Sequence, residues 1–292
     1  MKISNFNKGI LSSTLGSMWW GLIGTYYFKY ISTIGAIEVV AHRSFWTCVL
    51  LLISTLIFSK WKNFFKIILN VRKLILLIIT SFLIFGNWAL WIYAVSTDRI
   101  IEASFGYFIF PIISVFFGYI FFNEKLNTKR IISLFMVLIA SLIFLINVGS
   151  LPWIGLTVAL LWSIYNLLRK KINVDADVGL LIESLILLPF VMFIFYYLID
   201  NNFNHFIWSD YKMIFLLFLA GPMTVIPLFL YIKGVELSGL GPSGMIFFIT
   251  PTGQFLLGFF YYREAISIGE FLSFILIWIA VSIYLKDLYE NN

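Results

Sequence analysis

The chain has 292 residues, 61% of them hydrophobic and only 12% charged, with mean hydropathy +0.98 and a formal charge of +6. A water-soluble domain carries about 25% charged residues, so this composition excludes a soluble enzyme or a nucleic-acid-binding module and points to an exterior that faces lipid. One cysteine, Cys48, excludes an internal disulfide framework, and His42 and His205, far apart in the chain, offer no metal-ligand spacing.

Apolar runs of about 20 residues, enough to cross a hydrocarbon core of about 30 Å, fall near 9–28, 36–58, 74–95, 101–122 and 129–147. Five more follow near 152–169, 178–198, 211–232, 242–260 and 266–285. Lys2 and Lys8 precede the first run and no small-residue cleavage site follows it, so an uncleaved helix is expected. The connections are short, and the pattern predicts an all-α integral membrane protein of ten transmembrane helices. Basic residues orient it. With the N-terminus in the cytoplasm, Lys29, Arg99, Lys212 and Arg263 fall outside and Arg43 lies within the second span; the remaining fifteen of the 20 Lys and Arg fall inside. The positive-inside rule therefore places both termini in the cytoplasm.

The chain also repeats itself. Segment 107–124, YFIFPIISVFFGYIFFNE, aligns without gaps on 247–264, FFITPTGQFLLGFFYYRE. Pro111/Pro251, Gly118/Gly258 and Glu124/Glu264 match at one offset, together with Phe108/Phe248 and Ile109/Ile249. At nearly the same offset Trp20 meets Trp162 and Glu38 meets Glu183. Two five-span units, 1–148 and 149–292, then run through the membrane in opposite senses, because five is odd. An inverted repeat of this kind places a transported solute at the interface between its halves.

Several stretches carry a resemblance: IEVVAHRSFW (37–46), NWALWIYAV (87–95), IEASFGYFIFP (101–111), GSLPWIGL (149–156), RKKINVDADVGLLIES (169–184) and TPTGQFLLG (250–258). In these the chain resembles the drug/metabolite transporter superfamily, EamA type, and within it the RarD-like branch. The resemblance implies a five-plus-five helical fold with a central cavity formed mainly by spans 1, 3, 4, 6, 8 and 9. RarD-like proteins are labelled as chloramphenicol-sensitivity proteins, a label that names no physiological substrate.

Ionisable groups within a span are costly and normally face protein or water. Glu38 and His42 lie one helical turn apart on the second span, with Arg43 adjacent. Together with Glu183 in span seven and Glu102 at the start of span four, they are candidate coupling or gating groups, histidine being able to titrate near neutral pH. The structural alternative is that Arg43 neutralises Glu38 or Glu102 and fixes helix packing, while Glu102 caps its helix or pairs with Arg99. Glu124 and Glu264 read as ties between a helix end and its neighbour, Lys233 and Glu236 as an interfacial pair, and Ser267 with Glu270 as a capping box.

Span one presents Gly16, Trp20, Gly24 and Tyr27 as a stripe that permits close helix approach. Span three offers Asn87, Trp88 and Trp91; Tyr107, Trp162, Tyr165 and Phe247 come from spans four, six and nine. Together these are candidate substrate-binding residues of an aromatic-walled pocket with a few polar anchors, the usual design of small-molecule sites. Such a pocket suits an amphipathic amino acid, or an amine through cation–π contact. Pro111 and Pro251 are candidate hinges at matched places in the halves.

The reading is a secondary transporter of the cytoplasmic (inner) membrane, exporting or exchanging a small amphipathic metabolite by alternating access. Its expected partners are the solute, the lipid bilayer and a proton or other coupling ion; a homodimer is left open, and neither nucleic acid nor a cofactor is expected. No Walker A loop is present to draw on ATP directly. The alternatives are a multidrug or chloramphenicol-type efflux carrier, a membrane partner subunit without transport, and an intramembrane lipid enzyme. The last requires a denser set of catalytic groups than isolated glutamates and one mid-span histidine supply.

Overall fold

The computed structural model describes residues 4–97, 100–148, 153–207, 209–261, 263 and 267–291. All regular structure among them is helical. That is the expected outcome for Leu/Ile/Phe-rich segments in lipid, where backbone N–H and C=O groups must find partners within their own segment. The chain runs α1 (Asn5–Met18), a π-helical turn (Trp19–Gly24), α2 (Thr25–Tyr30), α3 (Ala36–Ile57), α4 (Trp61–Ile68), α5 (Val71–Ser96), α6 (Ile100–Phe122) and α7 (Thr128–Val148). It continues through α8 (Trp153–Ile172), α9 (Ala176–Asp200), α10 (Tyr211–Ser238), α11 (Leu240–Ile246), α12 (Ile249–Leu256), a second π-helical turn (Leu257–Tyr261) and α13 (Ile268–Asn291).

Local chemistry sets the helix starts. Ser4, Asn70 and Asp210 each accept a hydrogen bond from the backbone N–H three residues on, satisfying a donor left over by the first turn. Ser267 and Glu270 form the expected reciprocal box: Glu270 Oε2 accepts from Ser267 N (2.8 Å), and Ser267 Oγ accepts from Glu270 N (3.1 Å). The short helix α4 lies between the second and third apolar runs, where the sequence reading placed only a connection.

Among the described residues, seven helical segments are long and apolar enough to cross a membrane: Ala36–Ile57, Val71–Ala94, Thr128–Ile146, Ala176–Asp200, Tyr211–Ser238, Leu240–Tyr261 and Ile268–Glu290. The apolar part of α6, Gly106–Phe122, is shorter. The main pairings are α1 with α10, α5 with α8, α3 with α9 and with α10, α7 with α13, and α6 with α8 and α11; α12 packs on the first π-helical turn. Small residues make two of these crossings possible. A Cβ at Gly16 would lie 2.8 Å from the Pro227 carbonyl oxygen of α10, and one at Gly21 would lie 2.7 Å from that of Thr250. Without lipid-versus-water hydrophobicity to drive helices together, such backbone approach is how membrane helices gain contact.

Candidate solute-binding cavity

The first π-helical turn stands where span one meets the centre of the bundle. Such turns add a residue to the local register and recur at functional sites. Here the first span presents Trp20, Gly24 and Phe28 to a common void. From α5 come Asn87, Trp88 and Trp91, from α3 Arg43, from α6 Tyr107 and from α8 Trp162; Phe247, Thr250 and Gln254 complete the wall. The space between these walls, about 520 Å³, includes the solvent at its open mouth.

Aromatic rings close its base. Trp162 meets Trp20 edge-on at 5.6 Å between centroids, lies 5.6 Å from Tyr231, and stacks on Tyr165 at 5.3 Å. Tyr107 meets Phe247 at 5.5 Å, and Phe110 meets Phe247 at 4.9 Å. Asn87, which lines the void, donates through Nδ2 to the Val158 carbonyl at 3.0 Å, tying α5 to α8.

Arg43 is the one charged side chain among the twelve residues that line this void. It is 4% exposed. Its guanidinium carbon lies 4.5 Å from the Trp88 ring and 5.0 Å from Phe28, so two π-faces hold it in place. Among the described residues no carboxylate pairs with it, and its Nε is buried without a hydrogen-bond partner.

Two buried carboxylates flank the cavity at a distance along the chain. Glu38 on α3 accepts from the backbone N–H of His205 (2.7 Å) and lies 2.6 Å from His205 Nδ1. His42 sits 3.9 Å from Glu38, beyond hydrogen-bond reach, and its ring packs between Phe195 and Phe206. Glu183 on α9 accepts from Thr80 Oγ1 (2.5 Å) and from the Tyr165 hydroxyl (3.2 Å), with Arg169 Nε at 3.7 Å.

The sequence pattern of the EamA-like transporter family matches residues 7–146. Protein RarD of Escherichia coli (strain K12) is 31% identical over 287 residues, covering 98% of this chain and 97% of that one. An uncharacterized transporter of Vibrio cholerae is also 31% identical, over 96% of this chain and 92% of its own. A protein of Pseudomonas aeruginosa named chloramphenicol-sensitive protein RarD is 24% identical over 96% and 94%. A crystal structure with 13% sequence identity shares the fold at a TM-score of 0.70, over 94% of this chain and 96% of that one. The chain belongs to the RarD-like branch of the EamA-like transporter family. Like other members of that family it is a multi-pass protein of the cytoplasmic membrane.

Within this RarD-like chain, seven of the nine residues expected at the substrate site line the void: Trp20, Asn87, Trp88, Trp91, Tyr107, Trp162 and Phe247. Two do not. Tyr27 turns to α10 and donates to the Leu216 carbonyl (2.7 Å), and Tyr165 lies beneath Trp162 with its hydroxyl on Glu183. The expected Glu38–His42–Arg43 group divides: Glu38 and His42 face the His205 loop, and Arg43 turns into the cavity. Positions 38 and 43 are five apart, which on a helix of 3.6 residues per turn puts them about 140° from each other. The Glu102 side chain, Arg99 and Glu264 lie outside the described residues. Pro111 sits inside an unbroken α6, whereas Pro251 follows a break at Phe247–Phe248 between α11 and α12.

Glu124 is a tie between a helix end and its neighbour. It accepts from the N–H groups of Leu240 and Gly241 (2.8 Å each) and pairs with Lys170 at 2.7 Å. Lys233 and Glu236 pair at 3.0 Å. The sequence reading passed over Phe28, Thr250 and Gln254 as lining residues and His205 as a partner for Glu38. Phe28 follows Trp20 and Gly24 at spacings of four, and Thr250 and Gln254 share the same spacing, so the stripe signal was present for all three. His205 has no local signal, because its partner is 167 positions away.

Proposed function

We propose that this chain is a secondary transporter that moves a small amphipathic metabolite across the cytoplasmic membrane by alternating access. In this reading the α3, α5, α9, α10 and α13 spans and the paired α7 are joined by α1–α2, α6, α8 and α11–α12 to make ten, both termini cytoplasmic. The chain then divides into two five-span repeats of opposite sense, 1–148 and 149–292.

The observation that carries the reading is where the repeat partners meet. Trp20 and Trp162, matched across the halves in sequence, are in ring contact at 5.6 Å. Tyr107 and Phe247, matched in the alignment of 107–124 on 247–264, meet at 5.5 Å, and Phe108 and Phe248 at 6.3 Å. Residues related by a pseudo-two-fold axis touch only near that axis. Two of these pairs lie in the cavity wall, and the third is buried in the neighbouring cluster with Phe144 and Phe274, which supports an axis passing beside the cavity, where an inverted-repeat transporter holds its solute. The helix pairings agree: exchanging each span with the one five later turns α1/α10 into α8/α5 and α6/α8 into α11–α12 against span one, and returns α3/α9 and α7/α13 to themselves.

The family relationship supports transport, and the apolar void with few polar groups supports a small amphipathic solute, an apolar amino acid first. The test is counterflow in proteoliposomes, with amino acids, amines, nucleosides and chloramphenicol as candidate solutes. Gly24→Phe, which fills the void where only ordinary contacts surround the glycine, is expected to abolish uptake while leaving the melting temperature close to that of the parent. A chain that melts normally, binds none of these solutes and shows no counterflow overturns the proposal. Membrane-impermeant maleimide on Lys62→Cys and Lys212→Cys in a Cys48→Ser background checks orientation, with labelling expected from opposite sides.

A further inference from the structure

A buried guanidinium that no carboxylate balances is an unusual thing to keep inside a membrane protein. Leaving a charge unpaired in low dielectric costs several kcal/mol, and an intramembrane ionisable group marks a functional site unless a partner is found for it. Arg43 is buried, has no carboxylate partner among the described residues, and carries an Nε with no hydrogen-bond partner. Four other cationic side chains packed in this bundle each have a carboxylate within 4 Å: Arg169 has Glu183, Arg130 has Asp287, Lys170 has Glu124 and Lys60 has Asp177. What distinguishes Arg43 is its position in the wall of the void, clamped by Trp88 and Phe28.

We infer that Arg43 is the anion anchor of the cavity and that the transported solute carries a carboxylate on an apolar body. The inference rests on the transport reading above and narrows it. The guanidinium fork matches the two oxygens of a carboxylate, and its planar edge remains available while its faces lie against rings. The surrounding wall of Trp20, Trp91, Trp162 and Phe247 suits the apolar body. Asn87 lines the same void with its Nδ2 engaged on the Val158 carbonyl, and its Oδ1 is the acceptor that suits an ammonium group where the solute is an amino acid. A simple amine has nothing to balance Arg43 and is repelled by it. The amine branch of the substrate expectation is therefore the one this geometry disfavours, although the tryptophans alone would favour it.

The test holds the apolar body constant and varies the charge. Full-length protein in detergent is titrated with phenylacetate, phenylalanine, phenylalaninamide and phenethylamine, reading tryptophan fluorescence and melting temperature. Phenylacetate and phenylalanine are expected to bind at least about tenfold more tightly than the amine and the amide, the worth of a charge-assisted hydrogen bond. Arg43→Gln is expected to erase that preference, and Arg43→Lys to retain part of it. The wild-type charge series stands without any variant, so a misfolded Arg43→Gln leaves the proposal open to disproof. Equal affinities across the series, or tightest binding of phenethylamine, overturn the anion anchor while leaving a solute-binding cavity in place. No binding of any of the four, with no counterflow, overturns the anchor and the transport reading together.

Discussion

Glu38 and Glu183 occupy matched places in the two halves and are both almost fully buried, yet they are held in different ways. Every partner of Glu183 stands on a helix and is itself buried: Thr80 on α5, Tyr165 and Arg169 on α8. Glu38 is held by a loop residue, His205, whose side chain is 48% exposed. The Glu183 end carries further ties between elements far apart in the chain, with Lys60 on Asp177 and Glu124 bridging Lys170 to the start of α11. Opening the Glu183 end means separating buried charges and displacing helices. Opening the Glu38 end frees the carboxylate from a loop and parts one neutral hydrogen bond, from the Tyr27 hydroxyl to the Leu216 carbonyl of α10. If the two halves work as alternate gates, this conformation is locked at the first end and lightly latched at the second.

Removing one member of a buried pair is the severest way to break that contrast. Glu183→Gln leaves Arg169 buried without a carboxylate and is expected to destabilise the protein by about 3–5 kcal/mol, whereas replacing both by apolar residues of similar volume is expected to cost far less. Melting curves of Glu183→Gln read that loss, and those of Glu183→Leu, Arg169→Met and the double variant Glu183→Leu/Arg169→Met measure the coupling. Additive losses would show that the pair does not act as a unit.

Glu124 tests whether the end is a lock as well as a support. Its carboxylate is one-fifth exposed, and Glu124→Gln, which keeps an acceptor for only one of the Leu240 and Gly241 N–H groups and loses the charge facing Lys170, is expected to cost about 1–3 kcal/mol. The more telling readout is accessibility. Ser243→Cys on α11, fully buried in this conformation, should react with maleimide faster when Glu124 is Gln if the tie keeps this end shut. An unchanged rate assigns Glu124 to helix capping alone.

The parts of this arrangement that the sequence made legible are those with local or periodic signals. Where its residues are described, each of the ten apolar runs falls on helix, and the matched alignment identified Trp20 with Trp162 and Tyr107 with Phe247, which meet in the cavity wall. Direction within a helix was harder. Grouping Glu38, His42 and Arg43 treated adjacency in sequence as adjacency in space, while the helical angle between positions 38 and 43 separates them. The π-helical turns and the break at Phe247–Phe248 were not legible, because an apolar run reads the same whether its hydrogen bonds step by four residues or five. The two histidines offer no metal-ligand spacing in sequence; His42 stands one turn from Glu38 by local spacing, as expected, and tertiary packing brings His205 to the same carboxylate.

The smallest effect is expected at the Glu38 end. His205→Ala removes the Nδ1 contact but leaves the backbone N–H that also reaches Glu38, and the lost group is half exposed. The expected cost is about 1 kcal/mol, the worth of one hydrogen bond at a place that water can reach, well below that of Glu183→Gln. What should change is the latch: hydrogen exchange of the 201–207 loop is expected to rise, with α9 and α10 unaffected. The same variant decides whether protons are coupled here. If they are, uptake driven by an imposed pH gradient falls toward the gradient-free rate in His205→Ala and in Glu38→Gln alike. A parental response to the gradient in both variants removes this end from any coupling scheme, and a loss of stability in His205→Ala as large as that in Glu183→Gln would erase the contrast between the two gates.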